Sequence, residues 1–464
     1  MEVIQSGDVR LAQPGGFSVV LAERVLGMAD ALGLPEKWRE LGFGNPTRRT
    51  TAYTTDRRIA AVVAGLACGL RGIAPGNMLV RPNQAMQQRL GGRFPDQGTI
   101  HRWLGRITEA QAADLRRHLQ EVVREQGRFW QELWWKRWLV VDMDGQGLIA
   151  RGQRFERAHG GYLGGSIDCG YQRYVCYAAA TREVLDELLV PGNRTAMSVL
   201  PEMLEGLNEV IPVKDRSRVL LRGDAHFGTA KNVWQMRRAG YHFLCPLHNP
   251  WSRKKLKEHV QNWKGGWLEV TDSAGVTQRL HFWRVPRWEM HVKDSPKRVR
   301  CRATVYCKQE ANGREEWTVL ITDLKRFSAR QMWETYTERC GSIEEYNDQS
   351  ERAYHLDVMR TGNLAGLNAV QCLVGLCWNL TRWATEELTL PPVLAPAADP
   401  ASWLRAADMD LEHLMQRAQN SGLRLYRETA AGPLEVEDTA STPESAAWLR
   451  SLQRPVQRRL RLAG

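Results

Sequence analysis

Residues 140–145 read Val-Val-Asp-Met-Asp-Gly, an apolar, β-prone run that turns acidic at its end. With the tryptophan-rich stretch 134–138 before it, the pattern predicts a buried strand. Residues two apart on a strand share a face, so Asp142 and Asp144 project the same way. A second such run, Arg-Val-Leu-Leu-Arg-Gly-Asp-Ala-His-Phe-Gly over 218–228, carries Asp224 at its end. A third acidic pair, Glu344 and Glu345, falls in a helical pattern over 329–352. There Tyr336, Arg339 or Cys340, and Ile343 or Glu344 recur at helical spacing. Two buried strands that end in carboxylates require a sheet, and an acidic helix beside them would close a cluster at its edge.

Such a cluster has a chemistry. Two divalent cations about 3.5–4 Å apart can activate a nucleophile and stabilise the leaving oxygen of an in-line displacement at phosphorus. Mg2+ and Mn2+ take hard oxygen ligands, chiefly carboxylate and water. Asp144, Asp224 and Glu344 make a donor set of that kind, with Asp142 and Glu345 as rival acids. Taken singly, each has an ordinary solvated carboxylate as its competing reading.

The flanking sequence supplies cover for the sheet. Helical patterns span 17–32, 57–70 and 109–128, and Thr99 is placed to cap a helix exposing His101, Arg102 and Arg106. Strands are expected at 148–155 and 171–180, a helix at 193–207, a helix at 230–238 and a strand at 241–247. From 249 to 316 the pattern turns β-rich, with strands at 267–270, 278–284, 299–307 and 317–322 and a basic run at Arg253, Lys254, Lys255 and Lys257. Tryptophans interleaved with cations suit single-stranded or distorted nucleic acid, and a small Trp-filled core explains them as well. Residues 364–383 read as a helix interrupted by Asn368, Gln371, Asn379 and Arg382, which suits a buried helix better than a membrane span. Residues 388–400 read as a linker, 401–420 as an amphipathic helix, and the end as a basic tail.

With 464 residues, several domains are expected. The 64 Lys+Arg against 52 Asp+Glu leave a net charge of +12, which favours a polyanionic partner, chiefly nucleic acid. Nine cysteines without a CxxC pair, four of them (Cys68, Cys176, Cys245 and Cys372) among apolar neighbours, read as core thiols of a reducing cytoplasm and not as a zinc site. The first residues lack the basic-then-apolar order of a secretory signal.

Four segments together resemble bacterial insertion-sequence transposases of the DDE class, in the branch with a Tyr-Arg-Glu-Lys signature. Residues 140–145 resemble the strand of the first Asp, where an acid two residues ahead favours Asp144 over Asp142. Residues 220–228 resemble the second, with its Asp-x-x-Phe. Residues 317–322, Tyr336 to Arg339 and Ile343 to Tyr346 resemble the third, and 94–103 the segment ahead of the core. The likeness covers roughly residues 50–385. It departs at two points: four residues instead of three separate Arg339 from Glu344, and the family's lysine position is Glu351, with Arg352 next. Relative to the family's spacing, the extra residue rotates Glu344 by roughly 100° if the helix is regular, which a helix start or a bulge between them would undo.

The resemblance implies an α/β, RNase H-like (retroviral integrase-like) core over 129–248 and 326–386, interrupted by a β-rich insertion at 249–325. A helical DNA-binding domain at 1–128 and a linker with a helical, basic region at 387–464 would flank it. It implies Mg2+ or Mn2+, two ions, on Asp144, Asp224 and Glu344. DNA contacts would come from Trp317 (on a flipped base), Tyr336, Arg339, Arg352, Arg102, Lys254 and Lys255. The implied reaction cuts transposon ends at terminal inverted repeats and joins the 3′-OH to target DNA, in a homodimer on double-stranded DNA at the nucleoid. A catalytically inactive transposon-derived DNA-binding protein and an RNase H-like nuclease or resolvase are the alternatives.

Overall fold

A computed structural model describes residues 5–6, 9–10, 19–41, 43, 53–135, 138–151, 154–163, 165–271, 277–293, 295–309, 314–385, 389–390, 404–405, 410–420, 423–427 and 434–438. The Arg48-Arg49 loop, most of the expected linker at 388–400 and the basic tail lie outside these. The chain divides into two compact units. One holds Met1–Leu119, Leu148–Ala158 and Asn347–Gly464, the other Gln120–Gly147 and His159–Tyr346.

The second unit is a mixed α/β fold around a ten-stranded mixed sheet. Its strands are β1 (Leu139–Ile149), β2 (His159–Leu163), β3 (Ser166–Ala178), β4 (Glu183–Pro191), β5 (Val219–Gly223), β6 (His242–Pro246), β7 (Gly266–Thr271), β8 (Thr277–His291), β9 (Arg298–Gln309) and β10 (Glu315–Thr322). They run in the order β2-β3-β1-β5-β6-β10-β9-β8-β7, and β4 pairs with β3. β1, β5 and β6 are parallel, as their near-continuous apolar sequence demands for strands covered on both faces. β10 pairs antiparallel with β6, so the β-rich stretch extends the same sheet. The β8–β9 register shifts between Val285 and Trp288, around Pro286, whose missing N–H a regular ladder would not tolerate.

The helix Ala329–Thr337, opened by a capping box of Ser328 and Gln331, covers one face. Its Ala329 and Met332 join Leu220, Leu244, Leu280, Tyr306 and Leu320 in one apolar cluster. Fully burying each such leucine contributes about 1.5–3 kcal/mol.

Several expectations shift. β1 runs on through Ile149 where a break and a new strand at 148–155 were expected. Gly160 and Gly161, read as a turn, lie inside β2. The basic run 253–257 lies on the helix Pro250–Val260, capped by Asn249 and opened by Pro250. The single helix expected over 329–352 is three pieces: Ala329–Thr337, a π-helical turn Cys340–Glu344, and Glu345–Tyr354.

The first unit is mainly helical. Leu364–Thr385 is long and apolar enough to cross a membrane, yet 94% of its most apolar window is buried inside the protein. Every residue of it but Asn368 is buried, which makes it a core helix. Val20–Ala31 packs on it, and the Arg24 guanidinium donates to the Ala384 carbonyl at 3.0 Å. The helix Gln97–Leu104 is capped by Asp96, not by Thr99, which instead donates its N–H to Asp96 at 2.8 Å. Leu411–Asn420 is helical, whereas Leu404–Arg405, expected within that helix, pairs with Thr389–Leu390 as strand.

Candidate active site

The parallel register Asp142↔Arg222 and Met143↔Gly223 sets Asp144 beside Asp224, one residue past the last pair, where β5 ends and β1 continues. Beyond Asp224 the chain turns sharply. The Asp224 carboxylate accepts the His226 N–H at 2.9 Å. Phe227 is buried, and Gly228 passes so close to β6 that a Cβ there would lie 1.7 Å from the Pro246 carbonyl oxygen. The Gly-Asp-x-x-Phe-Gly spelling is thus a packing requirement that fixes where Asp224 stands.

The π-helical turn brings the third acid. Arg339 precedes this turn and Glu344 ends it, and the Arg339 guanidinium donates to Glu344 at 2.6 Å and to Asp144 at 2.5 Å. A π turn absorbs one extra residue, so the five-residue spacing that would separate the two on a regular helix here joins them. Burial pushes the Asp144 carboxyl up to about 6; Arg339 opposes this, while the charges of Asp224 and Glu344 add to it. These interactions place the three carboxylates in one electrostatic neighbourhood.

The rival acids are occupied elsewhere. Asp142 is fully buried, bidentate with Arg222 at 2.5 and 2.8 Å, and accepts the Ser342 hydroxyl at 2.6 Å. Glu345 faces Arg182 at 3.2 Å. Tyr336 stands near the cluster: burial pushes its phenol up to about 12, with Arg339 opposing and Asp224 among the charges that add to the rise.

The donor types fit a hard divalent cation, and the penalty that burial and the neighbouring carboxylates place on the charged form of Asp144 is what such a cation would offset. As the side chains stand, the Arg339 guanidinium is the cation between Asp144 and Glu344. Among the described residues no three acidic, His or Cys side chains stand in metal-holding geometry. A cation shared by Asp144 and Glu344 would take the place that Arg339 holds here.

Sequence reading missed two groups. Tyr174, on β3, packs over Gly145, where a Cβ would come within 2.6 Å of its ring. Its phenol is raised by burial and by the nearby Asp224 and Asp144 charges. His248 lies within reach of Asp224 too, its ring 5.3 Å from that of His226, and burial lowers its pKa. Nothing in a one-dimensional pattern links Tyr174 to Gly145; the sequence signal is only a glycine directly after an acid.

Trp317 belongs to a row of aromatic side chains. Trp267, His281, Cys307 and Trp317 are successive cross-strand partners on β7, β8, β9 and β10. Trp267 stacks on His281 at 4.4 Å, His281 lies 3.9 Å from Trp283, and Trp283 stacks on Trp317 at 5.3 Å. Lys257 sits 4.4 Å over Trp317 and Arg279 4.4 Å over Trp267. Lys254 and Lys255 are exposed, the first 3.9 Å from Glu258 and the second 5.2 Å from the Trp251 ring.

In the other unit, Arg102 is exposed on the helix Gln97–Leu104. Arg352 is held by Asp348, Asp410 and Glu412 at 2.8, 3.1 and 2.6 Å.

A family model described as transposase DDE domain group 1 matches residues 24–388. A cryo-EM structure of a piggyBac transposase synaptic complex with hairpin DNA aligns at 12% identity, with a TM-score of 0.39, over 90% of this chain and 82% of that one. No curated protein matches.

Proposed function

The chain belongs to the group 1 DDE transposase domain family, and we propose that it is a metal-dependent DNA transposase with Asp144, Asp224 and Glu344 as its catalytic acids. The carrying observation is that a parallel register sets Asp144 beside Asp224, and that a π-helical turn joins Glu344 to Asp144 through one cation, the Arg339 guanidinium. The strand order β4-β3-β1-β5-β6, with β4 antiparallel to β3 and with β1, β5 and β6 parallel, is that of an RNase H-like core and supports the same reading.

Bound on these acids, Mg2+ or Mn2+ would supply activation of an attacking oxygen and charge compensation at the leaving oxygen. The side chains do the rest. Arg339, freed from Asp144 and Glu344, turns to the phosphate beside the cut, where a guanidinium offers paired donors. Tyr336, protonated throughout the working range, donates toward the same phosphate. Asp142 and Arg222 take no part in chemistry; they hold β1, β5 and the π turn in place through Ser342.

The proposed reaction is hydrolytic cutting at element ends, then attack of the freed 3′-OH on target DNA, by a homodimer on nucleoid DNA. The Trp267–His281–Trp283–Trp317 row, with Lys254, Lys255 and Lys257, would receive an unstacked base or strand. Arg102 contacts backbone phosphate in this reading, and Arg352 does so by exchanging its carboxylate partners for it.

Supercoiled DNA bearing the element's ends, incubated with the protein and Mg2+, tests this. Strand-transfer products that vanish in Asp224→Asn support it; cutting that survives Asp224→Asn overturns the site. A second reading, a DNA-binding protein without catalysis, is favoured by the ion pairs that tie up Asp144 and Glu344. It predicts gel shifts with no cutting.

A further inference from the structure

We propose that the face built from the C-terminal end of the helix Ala230–Arg238 and the β8–β9 turn binds the sugar-phosphate backbone of a second DNA segment, apart from the one being cut. The inference rests on the transposase reading for its biological sense but on separate residues for its physics.

Arg237 and Arg238 end the helix, Lys297 ends the turn, and Arg298 and Arg300 begin β9. Trp234 holds two of these cations: Lys297 stands 3.8 Å and Arg238 5.2 Å from its ring centroid. Arg298 and Arg300, two apart on a strand and so on one face, are 60% and 84% exposed. They share a single carboxylate, Glu289, at 3.6 and 3.4 Å. Arg237 donates to the Arg300 carbonyl at 3.1 Å and stands 3.7 Å from Asp323. Arg237, Glu289, Pro296, Arg298 and Arg300 line an open depression of about 500 Å³.

Among the described residues, five cations thus face two carboxylates, at separations too long for strong hydrogen bonds, so the guanidinium donors remain available to a partner. Exposed pairs of this kind contribute little and exchange readily. A protein partner would call for an apolar centre, and among the described residues lining the depression only Pro296 is apolar, while the Trp234 indole beside them is covered by cations. DNA-binding surfaces are polar and strongly positive, as this one is.

Position separates it from the catalytic acids. The helix begins at Ala230, six residues after Asp224, and carries Arg238 about 12 Å further along its axis. β5 runs toward Asp224 from the opposite edge, the edge where Asp323 meets Arg237 and His242. Phosphates on this face lie at the other end of the parallel strands from Asp144 and Asp224. The donors that line the depression are guanidinium groups, which pair with phosphate oxygens whatever the sequence they belong to.

The test is fluorescence anisotropy of a short duplex lacking element ends, with the full chain in chelator, as a function of salt. Each phosphate contact removed flattens the log–log salt slope by ~0.9. The triple variant Lys297→Ala/Arg298→Ala/Arg300→Ala is expected to lower the slope by about 2–3 and the low-salt affinity by roughly tenfold or more. Arg298→Lys/Arg300→Lys keeps the charge and is expected to keep the slope. Glu289→Gln releases both arginines at no cost in bulk, and is expected to tighten binding and steepen the slope. An unchanged slope in both the triple variant and Glu289→Gln overturns the proposal, whatever the fold of either. Loss of cutting in Asp224→Asn leaves the slope untouched, so failure of this surface and failure of the catalytic assignment read out separately.

Discussion

Arg339 and Glu344 are five residues apart and share a 2.6 Å hydrogen bond across a π-helical turn. On an α-helix that spacing puts two side chains about 140° apart. The wider turn brings Glu344 onto the face where Asp144 already meets Arg339, and leaves Glu345 to Arg182.

Deleting Gly341, which is exposed and has no neighbour within 4 Å of its Cβ position, leaves Arg339 and Glu344 four apart, a spacing that a regular helix keeps on one face about 40° apart, so Mg2+-dependent nicking should survive the deletion. Glu344→Gln should lower nicking by ~10²-fold or more, since several kcal/mol of charge stabilisation are lost, with the melting temperature little changed, and Glu345→Gln should not. Equal losses in the two glutamine variants would refute the choice between them.

Asp142→Asn should act on folding. Removing one partner of a buried, bidentate pair leaves Arg222 uncompensated and costs about 3–5 kcal/mol. Urea denaturation should show it. A fully stable Asp142→Asn that no longer cuts DNA would move the first catalytic acid to Asp142.

The Asp144 carboxyl sits near 6 against about 3.9 in an unfolded chain. The folded state then holds this proton more tightly than the unfolded one. Its contribution to stability is present below about pH 4 and is lost as pH rises through about 6, an effect of at most about 3 kcal/mol. In chelator, Asp144→Asn should therefore gain on wild type between these limits in urea denaturation, and Mg2+ should narrow the gap. A difference independent of pH would show that Asp144 is not under this strain.

Trp317→Ala removes the end of the stacked row and the ring under Lys257. Affinity for duplex with an unpaired tip should drop by about 1–3 kcal/mol, and for fully paired duplex by much less, in filter binding. Equal losses on both substrates would make Trp317 a packing residue.

The acids on β1 and β5 were legible because a buried strand that ends in Asp is a local pattern. The insertion strands were legible for the same reason, by alternation and turn residues. The π turn was not, since a helical period tolerates one extra residue without a visible mark until Arg339 and Glu344 are seen to touch. β4 was missed because Glu183, Asp186 and Glu187 interrupt its apolar run. All three are buried, with Glu183 accepting the Arg128 and Phe129 N–H groups, Asp186 the Gln120 amide, and Glu187 paired with Arg173. Their partners lie on other elements, where no spacing rule reaches. The Pro250–Val260 helix did carry a signal, Asn249 then Pro250, which its basic run obscured.

The pairing of β10 with β6 has a further consequence. The chain leaves the parallel strands after Pro246 and rejoins them one strand away, so the whole excursion closes on itself like a drawer that slides back into its own frame. Its hairpins can lengthen, shorten or change their outer residues without shifting the point of return. On the proposed function, the part that would reach toward DNA and the part that would cut it are therefore free to diverge at different rates.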